Sequence, residues 1–284
     1  MKKLDHGTYT GERALFALED TEIVNAIFED GESPLKESKN VIVRNSTFKW
    51  KYPLWYTTNA LVENTLFEET ARSGIWYTKN IVMNNCNVIA PKTFRRSSDI
   101  TLNNCALPNA LETMWSCKNI RMKNVTAKGD YFGMNSSDIE INSFYLDGNY
   151  CFDGAKNIVI RNSTLNSKDS FWNSENVIVY DSVINGEYLA WNSKNLTFIN
   201  CKITSHQGLC YIKGLKMINC ELVDSDLCFE YCEKIDAQIT SHVDSIKNPY
   251  SGKIVVESVG ELILEDKFIN KEKTKILIKN HEKI

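Results

Sequence analysis

The chain has 284 residues, 43% of them hydrophobic and 24% charged, which excludes a disordered or collagen-like protein. Thirty-three Lys and Arg against thirty-six Asp and Glu leave a net charge of −3, so no basic face is imposed and nucleic acid is not an expected partner. The apolar residues are dispersed, with no run long enough for a membrane-spanning helix.

The opening MKKLDHGTYTGERALFALED has two lysines but no apolar segment behind them, and is not read as a secretory signal. With nine cysteines, an odd number, the expectation is a cytoplasmic protein with reduced thiols. No CxxC occurs and His6, His206, His242 and His281 are scattered, so neither a metal nor a cofactor is expected.

Residues 1–19 read as an N-terminal cap, with one short helix across Glu12–Asp20. From residue 20 to 233 a short pattern then recurs: NVIVRNSTF from Asn40, NIVMNNCNV from Asn80, NIVIRNSTL from Asn157, NVIVYDSVI from Asn176 and NLTFINCKI from Asn195. Its second polar residue serves as a register position, occupied by Asn25, Asn45, Asn64, Asn85, Asn104, Asn124, Ser143, Asn162, Asp181, Asn200 and Asn219, at steps of about 19 residues. Two residues before it run Ile23, Val43, Val62, Met83 and Leu102; four before, Val41, Ala60, Ile81 and Ile100; three after, Phe28, Phe48, Phe67 and Val88.

Alternation with period two means strands, and a unit this short cannot hold two strands and a crossover helix. Such units bury their apolar sides by stacking coil upon coil, as in a parallel β-helix. A half-buried asparagine repeated once per coil then hydrogen-bonds to its copies about 4.8 Å above and below, and satisfies backbone groups at a corner. A leucine-rich repeat places its asparagine as LxLxxN, whereas the spacing here is IxIxN. A hexapeptide helix needs an apolar residue every six, which fails.

The columns resemble the right-handed, pectate-lyase-like β-helix superfamily. Within it, the stretches Gly31–Glu37, Lys51–Tyr56, Lys168–Trp172 and Gly186–Trp191 look like an uncharacterised bacterial family of about this length. The resemblance implies an all-β, right-handed parallel β-helix of about a dozen coils and brings no activity with it. The paired aspartates of polygalacturonases and the acidic calcium cluster of pectate lyases are not found. Residues 234–284 read as an irregular last rung and C-terminal cap, and without a Pro- or Ser-rich linker the whole of 1–284 is expected to be one domain.

Between the asparagine corners runs a second strand. Leu54, Ile75, Phe94 and Met114 are expected inward. The adjacent column, Trp55, Trp76, Arg95, Trp115, Met134, Asp153, Trp172, Trp191 and Cys210, is expected outward and holds five of the six tryptophans. By the same alternation Pro53, Gly74, Thr93, Thr113, Cys151 and Ser170 would floor a trough, with Lys51, Arg72, Asp130, Lys168, Glu187 and His206 as its other wall. Aromatic faces stack on sugar rings and charges bind hydroxyls or uronates, so a glycan or sugar-containing ligand is expected on Trp55, Trp76, Arg95, Trp115, Trp172, Trp191, Arg72 and His206. The alternatives are a non-catalytic scaffold using the same side to meet another protein or another copy, or indoles tucked into the core.

Were the protein a lyase or hydrolase, its acid, base and cation would come from Asp130, Asp153, Lys168, Asp169 and Glu187. Glu187 and Asp226, two coils apart, would be separated by about 9.6 Å, near the upper limit for an inverting carboxylate pair. The cysteines have a plainer reading. Cys86 and Cys105, like Cys201 and Cys220, should stack as neighbours just after the register position, as buried free thiols.

Overall fold

The structure, a computed structural model, describes residues 1–279; His281 and the end of the expected C-terminal cap lie outside the described residues. Alternating residues form strands as expected. Lys39–Arg44 buries Val41 and Val43, and pairs in parallel with Thr58–Glu63 in the register Val41↔Ala60 and Val43↔Val62. Many coils continue into a short second strand, as at Thr47–Phe48, which pairs with Leu66–Phe67, while in others, as at Lys118–Lys128, the two run on as one strand. The chain is thus a parallel β-solenoid of about 15 turns of about 19 residues, somewhat more than the expected dozen.

The extra turns come from the expected caps. Lys2–Asp5 pairs in parallel with Glu19–Val24, and Thr8–Tyr9 with Ile27–Phe28. The helix expected over Glu12–Asp20 is not formed: residues 12–17 are turns, with Arg13 and Ala17 at φ 56° and 53°, which a right-handed helix cannot contain. Beyond residue 233, Glu233–Ile239, Gly252–Val256 and Thr274–Ile278 add further parallel strands, and His242–Lys247 pairs with Ser258–Ile263.

Contacts group the chain into two compact units, residues 1–147 and residues from 148 on. In the first, the Phe28, Phe48 and Phe67 rings stack at 4.4 and 4.9 Å, filling the core with one aromatic per coil. In the second, Phe152 and Phe171 stack at 5.6 Å. All nine cysteines are buried and free. Their thiols donate to backbone carbonyls, Cys86 to Asn84 and Cys201 to Ile199 at 3.4 Å, and Cys105 to Asn103 at 3.3 Å.

A coil this short closes because it turns through left-handed backbone at four recurring places. In one turn of the first unit these are Tyr52, Tyr56, Asn59 and Asn64, at φ 62°, 56°, 57° and 47°; in one turn of the second, Asp169, Asn173, Asn176 and Asp181, at φ 55°, 53°, 59° and 47°, joined there by a fifth left-handed residue, Phe171 at φ 60°. Asn and Asp tolerate this conformation better than other side chains that carry a Cβ. This explains the register asparagines, and it corrects their expected burial: Asn45, Asn64, Asn85, Asn104 and Asn124 are exposed. Their amides still join coil to coil, Asn64 Nδ2 donating to Asn45 Oδ1 (3.3 Å), Asn85 to Asn64 (3.2 Å) and Asn124 to Asn104 (3.0 Å). A second amide row stands five residues earlier, with Asn59 donating to Asn40 and Asn80 to Asn59, both at 2.9 Å.

Inside the coil a column of hydroxyls does similar work. Ser97 Oγ donates to the Ile75 carbonyl (2.9 Å) and accepts from Thr78 N (3.1 Å), while Ser193 Oγ in the second unit donates to Phe171 and accepts from Ser174 N. Each hydroxyl thereby satisfies buried backbone left open by a corner.

Candidate functional site

The tryptophan column lies on the side of the coil between two left-handed corners. Its inward neighbours Leu54, Ile75, Phe94 and Met114 are fully buried, as expected. The expected floor is not a floor: Pro53, Gly74, Thr93, Thr113, Cys151 and Ser170 are buried too. None of them lies in a strand: they follow a left-handed corner, such as Tyr52 or Ser73, in turns or irregular chain, so the two-residue alternation on which the trough rested does not reach them.

In the first unit, Trp55, Trp76, Arg95 and Trp115 are each half-buried. The Trp55 and Trp76 rings stack at 5.4 Å, only 10° from parallel. The Arg95 guanidinium then lies 4.6 Å from the Trp76 ring and 4.6 Å from the Trp115 ring, a cation between two indoles. Glu112 anchors it, accepting from Arg95 Nη2 at 3.3 Å while pairing with Lys92 Nζ at 3.1 Å. The Arg95 Nε is buried without a hydrogen-bond partner.

Each indole N–H is also committed. Trp55, Trp76 and Trp115 donate to the carbonyls of Ser73, Lys92 and Tyr131, the left-handed corner residues of the following coil. Beside this column Tyr56 and Tyr77 stack at 4.8 Å, with the Lys36 ammonium 5.7 Å from the Tyr56 ring. Tyr56, Tyr77 and Glu112 were not among the residues expected; their position next to the tryptophan column is the only sequence signal they carry. Arg72 is exposed, and Asp130 is half-buried in this unit.

In the second unit Trp172 and Trp191 stack at 5.6 Å and within 4° of parallel, donating to the carbonyls of Tyr188 and Gln207. Tyr211 and Tyr188 meet Trp191 edge to face at 5.2 and 5.4 Å. Four of the five catalytic candidates lie here. Lys168 and Glu187 form an ion pair at 2.9 Å, and this bond raises the Lys168 pKa. Asp169 is 7% exposed; burial, then the Glu187 charge, raises its pKa, while the Lys168 charge opposes the rise. Asp153 accepts from Asn173 Nδ2 at 2.9 Å.

His206 stands opposite Glu187 in the neighbouring strand, and its Nδ1 lies 2.7 Å from Asp226 Oδ1, which also accepts from Gln207 N at 3.3 Å. These groups therefore run along the coils as neighbouring pairs, Lys168 with Glu187 as an ion pair and His206 hydrogen-bonded to Asp226. Among the described residues no group of three or more His, Cys, Asp or Glu side chains is placed to hold a metal ion.

A shallow depression of about 610 Å³ lies elsewhere in the second unit, over the outer surface of the long strands, lined by Asn157, Ile178, Asn195, Thr197 and Lys216. It shares no residue with the tryptophan column.

These features define a parallel β-solenoid with internally stacked aromatic columns. Residues 2–277 match the family described as "Protein of unknown function (DUF3737)", and the chain belongs to that family. No curated protein matches the sequence. Among solved structures the chain is similar to PfbA, a surface adhesin of Streptococcus pneumoniae, at 9% identity, covering 98% of this chain and 82% of that one with a TM-score of 0.44. It is also similar to a tailspike protein mutant of E. coli bacteriophage HK620 in complex with a pentasaccharide, at 8% identity, covering 98% and 70% with a TM-score of 0.44. A third similarity is to QnrB1, a plasmid-mediated fluoroquinolone resistance protein, at 12% identity, covering 78% and 94% with a TM-score of 0.34.

Proposed function

We propose that this protein is a non-catalytic interaction solenoid, whose aromatic side in the first unit binds a protein partner. The observation that carries the reading is the Trp55–Trp76–Arg95–Trp115 stack. Its inner ring faces are turned to one another or to the guanidinium, and its indole N–H groups are hydrogen-bonded to backbone. Such a column offers no free indole N–H to a sugar hydroxyl, and between Trp55 and Trp115 no open face to lie under a pyranose. It offers instead a rigid strip of Trp, Tyr and Arg edges, the residue types that anchor protein interfaces, already held in place and losing little entropy on binding. The Lys168–Glu187 ion pair favours a non-catalytic role as well, since a carboxylate held by its neighbouring ammonium is not poised for proton transfer.

A glycan is the second reading, and the second unit favours it. There the edge-to-face packing of Tyr188, Trp191 and Tyr211 sits beside the exposed Lys168 and His206, combining aromatic surface with hydroxyl-binding charges.

Two measurements separate these readings. A photo-crosslinker placed at position 56 should give a defined protein adduct in cell extract, lost in Tyr77→Glu and absent when the crosslinker is moved to position 123. A glycan array followed by titration of indole fluorescence should be silent. Micromolar retention of a glycan, sensitive to His206→Ala, with no adduct from position 56, would replace the protein reading by the carbohydrate one.

A further inference from the structure

One amide row of the second unit is interrupted inside the depression over the long strands. Asn176 Nδ2 donates to Asn157 Oδ1 at 3.0 Å and Asn195 Nδ2 to Asn176 Oδ1 at 3.1 Å, so each amide gives a hydrogen to the coil before it. The register Leu196↔Leu215 puts Gly214 in the next place of the row, and Leu215↔Ile235 puts Lys234 in the one after. All three are left-handed corners, at φ 56° for Asn195, 85° for Gly214 and 55° for Lys234. Glycine meets the backbone requirement but supplies no amide. Asn195 Oδ1 overhangs it, 3.1 Å from where a Cβ at 214 would stand, and accepts no hydrogen bond from the described residues.

The interruption has a polarity. An amide standing there would donate to Asn195 Oδ1, as each amide of the row donates to the one before. Its oxygen would face the following coil, where the Lys234 ammonium carries donors only. A carboxylate would set an acceptor against Asn195 Oδ1, and an ammonium would set a cation against Lys234. A hydroxyl has one atom for both roles, and spans the two-coil distance of about 9.6 Å less well than the separate nitrogen and oxygen of a carboxamide. The strand beside the corner adds two charges. Lys216 and Asp236 stand opposite one another in adjacent coils, both exposed, and neither forms an ion pair among the described residues. Lys216 is two residues along its strand from Gly214, about 6.6 Å.

We propose that the second unit binds a free α-amino acid with a carboxamide side chain, L-glutamine, whose amide completes the row at Gly214 while its carboxylate meets Lys216 and its ammonium meets Asp236. The site asks for one amide and one pair of opposite charges a short side chain away, which is the pattern of such an amino acid. Asparagine is one methylene shorter, and reaches less well from the corner row to the two charges. Glutamate has the length of glutamine but brings an acceptor to Asn195 Oδ1 where a donor is needed. The site is open and shallow and its charges are exposed, so binding is weak and reversible. It lies apart from the aromatic side of the first unit and does not depend on what that side binds.

Titration of the isotope-labelled full chain with L-glutamine, followed by NMR, tests this. The Gly214 backbone amide and the Asn195 side-chain amide should shift together and saturate with a Kd of about 1 mM. L-Glutamate should bind about tenfold more weakly, and Lys216→Met and Asp236→Asn should each weaken glutamine about tenfold. Gly214→Asn supplies the amide from the chain itself, so it should abolish binding and raise the urea midpoint. The proposal is overturned if neither group shows a saturable shift by about 20 mM glutamine. It is equally overturned if glutamate binds as tightly as glutamine, or if Gly214→Asn, folded by circular dichroism, still binds. Should that variant not fold, Lys216→Met and Asp236→Asn decide, and wild-type affinity in both overturns the proposal.

Discussion

Asn64 separates the two reasons for an asparagine at the register position. Its backbone sits at φ 47°, and its amide donates to Asn45 at 3.3 Å and accepts from Asn85 at 3.2 Å. The left-handed conformation costs an ordinary L-residue about 1 kcal/mol more than it costs Asn. Two long, exposed amide bonds contribute about 0.5 kcal/mol each. Asn64→Ala loses both contributions and should destabilise by about 2 kcal/mol. Asn64→Gly relieves the backbone but loses the amides, and should lie about 1 kcal/mol above the alanine variant despite its freer unfolded chain. Asn64→Asp keeps the conformation and the acceptor and should cost only about 0.5 kcal/mol. Urea midpoints, with slopes checked for constancy, measure the series. Alanine and glycine variants of equal stability would refute the view that backbone conformation selects the asparagine.

Three further outcomes are expected. Arg95→Ala removes two half-buried cation–π contacts and the partner of Glu112 while deleting an unpartnered buried Nε; a net loss of about 2 kcal/mol is expected, with a change in indole emission, and a urea midpoint unchanged from wild type would contradict the stacked reading. Asp169, whose pKa burial raises above 3.8, keeps a proton in the folded state that the unfolded chain has already lost, so stability should fall as pH rises from 3.8 through the raised value. Asp169→Asn should abolish that fall and be the more stable protein at pH 7 but not near pH 3, and parallel stability–pH curves for the two would count against it. The nine buried thiols, with Cys117 and Cys210 pushed up to about 12 and Cys151 to about 11 by burial, should resist a thiol-labelling reagent in the native protein and react together in denaturant; native labelling at any of them would show a coil that opens.

The core was legible because its selection is by residue type. Val43, Val62 and Met83 must be apolar wherever coils stack, so the inward columns repeat in the sequence as they do in space. The second amide row was equally visible, since Asn40, Asn80, Asn157, Asn176 and Asn195 are the first letters of the recurring segments. The other two corners were not, because there the coil imposes left-handed backbone on whatever residue is present: Tyr52, Ser73, Lys92 and Glu112 share one corner with nothing in common chemically. Those hidden corners misplaced Pro53, Gly74 and Thr93, for they end the strand there, and strand alternation does not continue into the turn that follows a corner.

The character of the tryptophan column, by contrast, follows from a number available at the outset. Parallel coils repeat about every 4.8 Å, close to the separation at which aromatic rings stack. Flat side chains at one position of consecutive coils are therefore driven to lie on one another, as Trp55 and Trp76 do at 5.4 Å and Trp172 and Trp191 at 5.6 Å. Arg95 extends the rule, since a planar guanidinium fills the place of an indole between Trp76 and Trp115. A column of tryptophans thus argues against a row of open platforms. The outer ring faces lie where the column changes character: before Trp55, where Tyr52 tilts against the ring at 4.5 Å, after Trp115, where Met134 follows, before Trp172, where Asp153 stands, and after Trp191, where Cys210 follows and Tyr211 packs edge to face at 5.2 Å. A flat ligand competing for indole faces would have to bind at those breaks, so quenching that a glycan produced through Trp76, whose two faces are taken by Trp55 and Arg95, would require the stack itself to come apart.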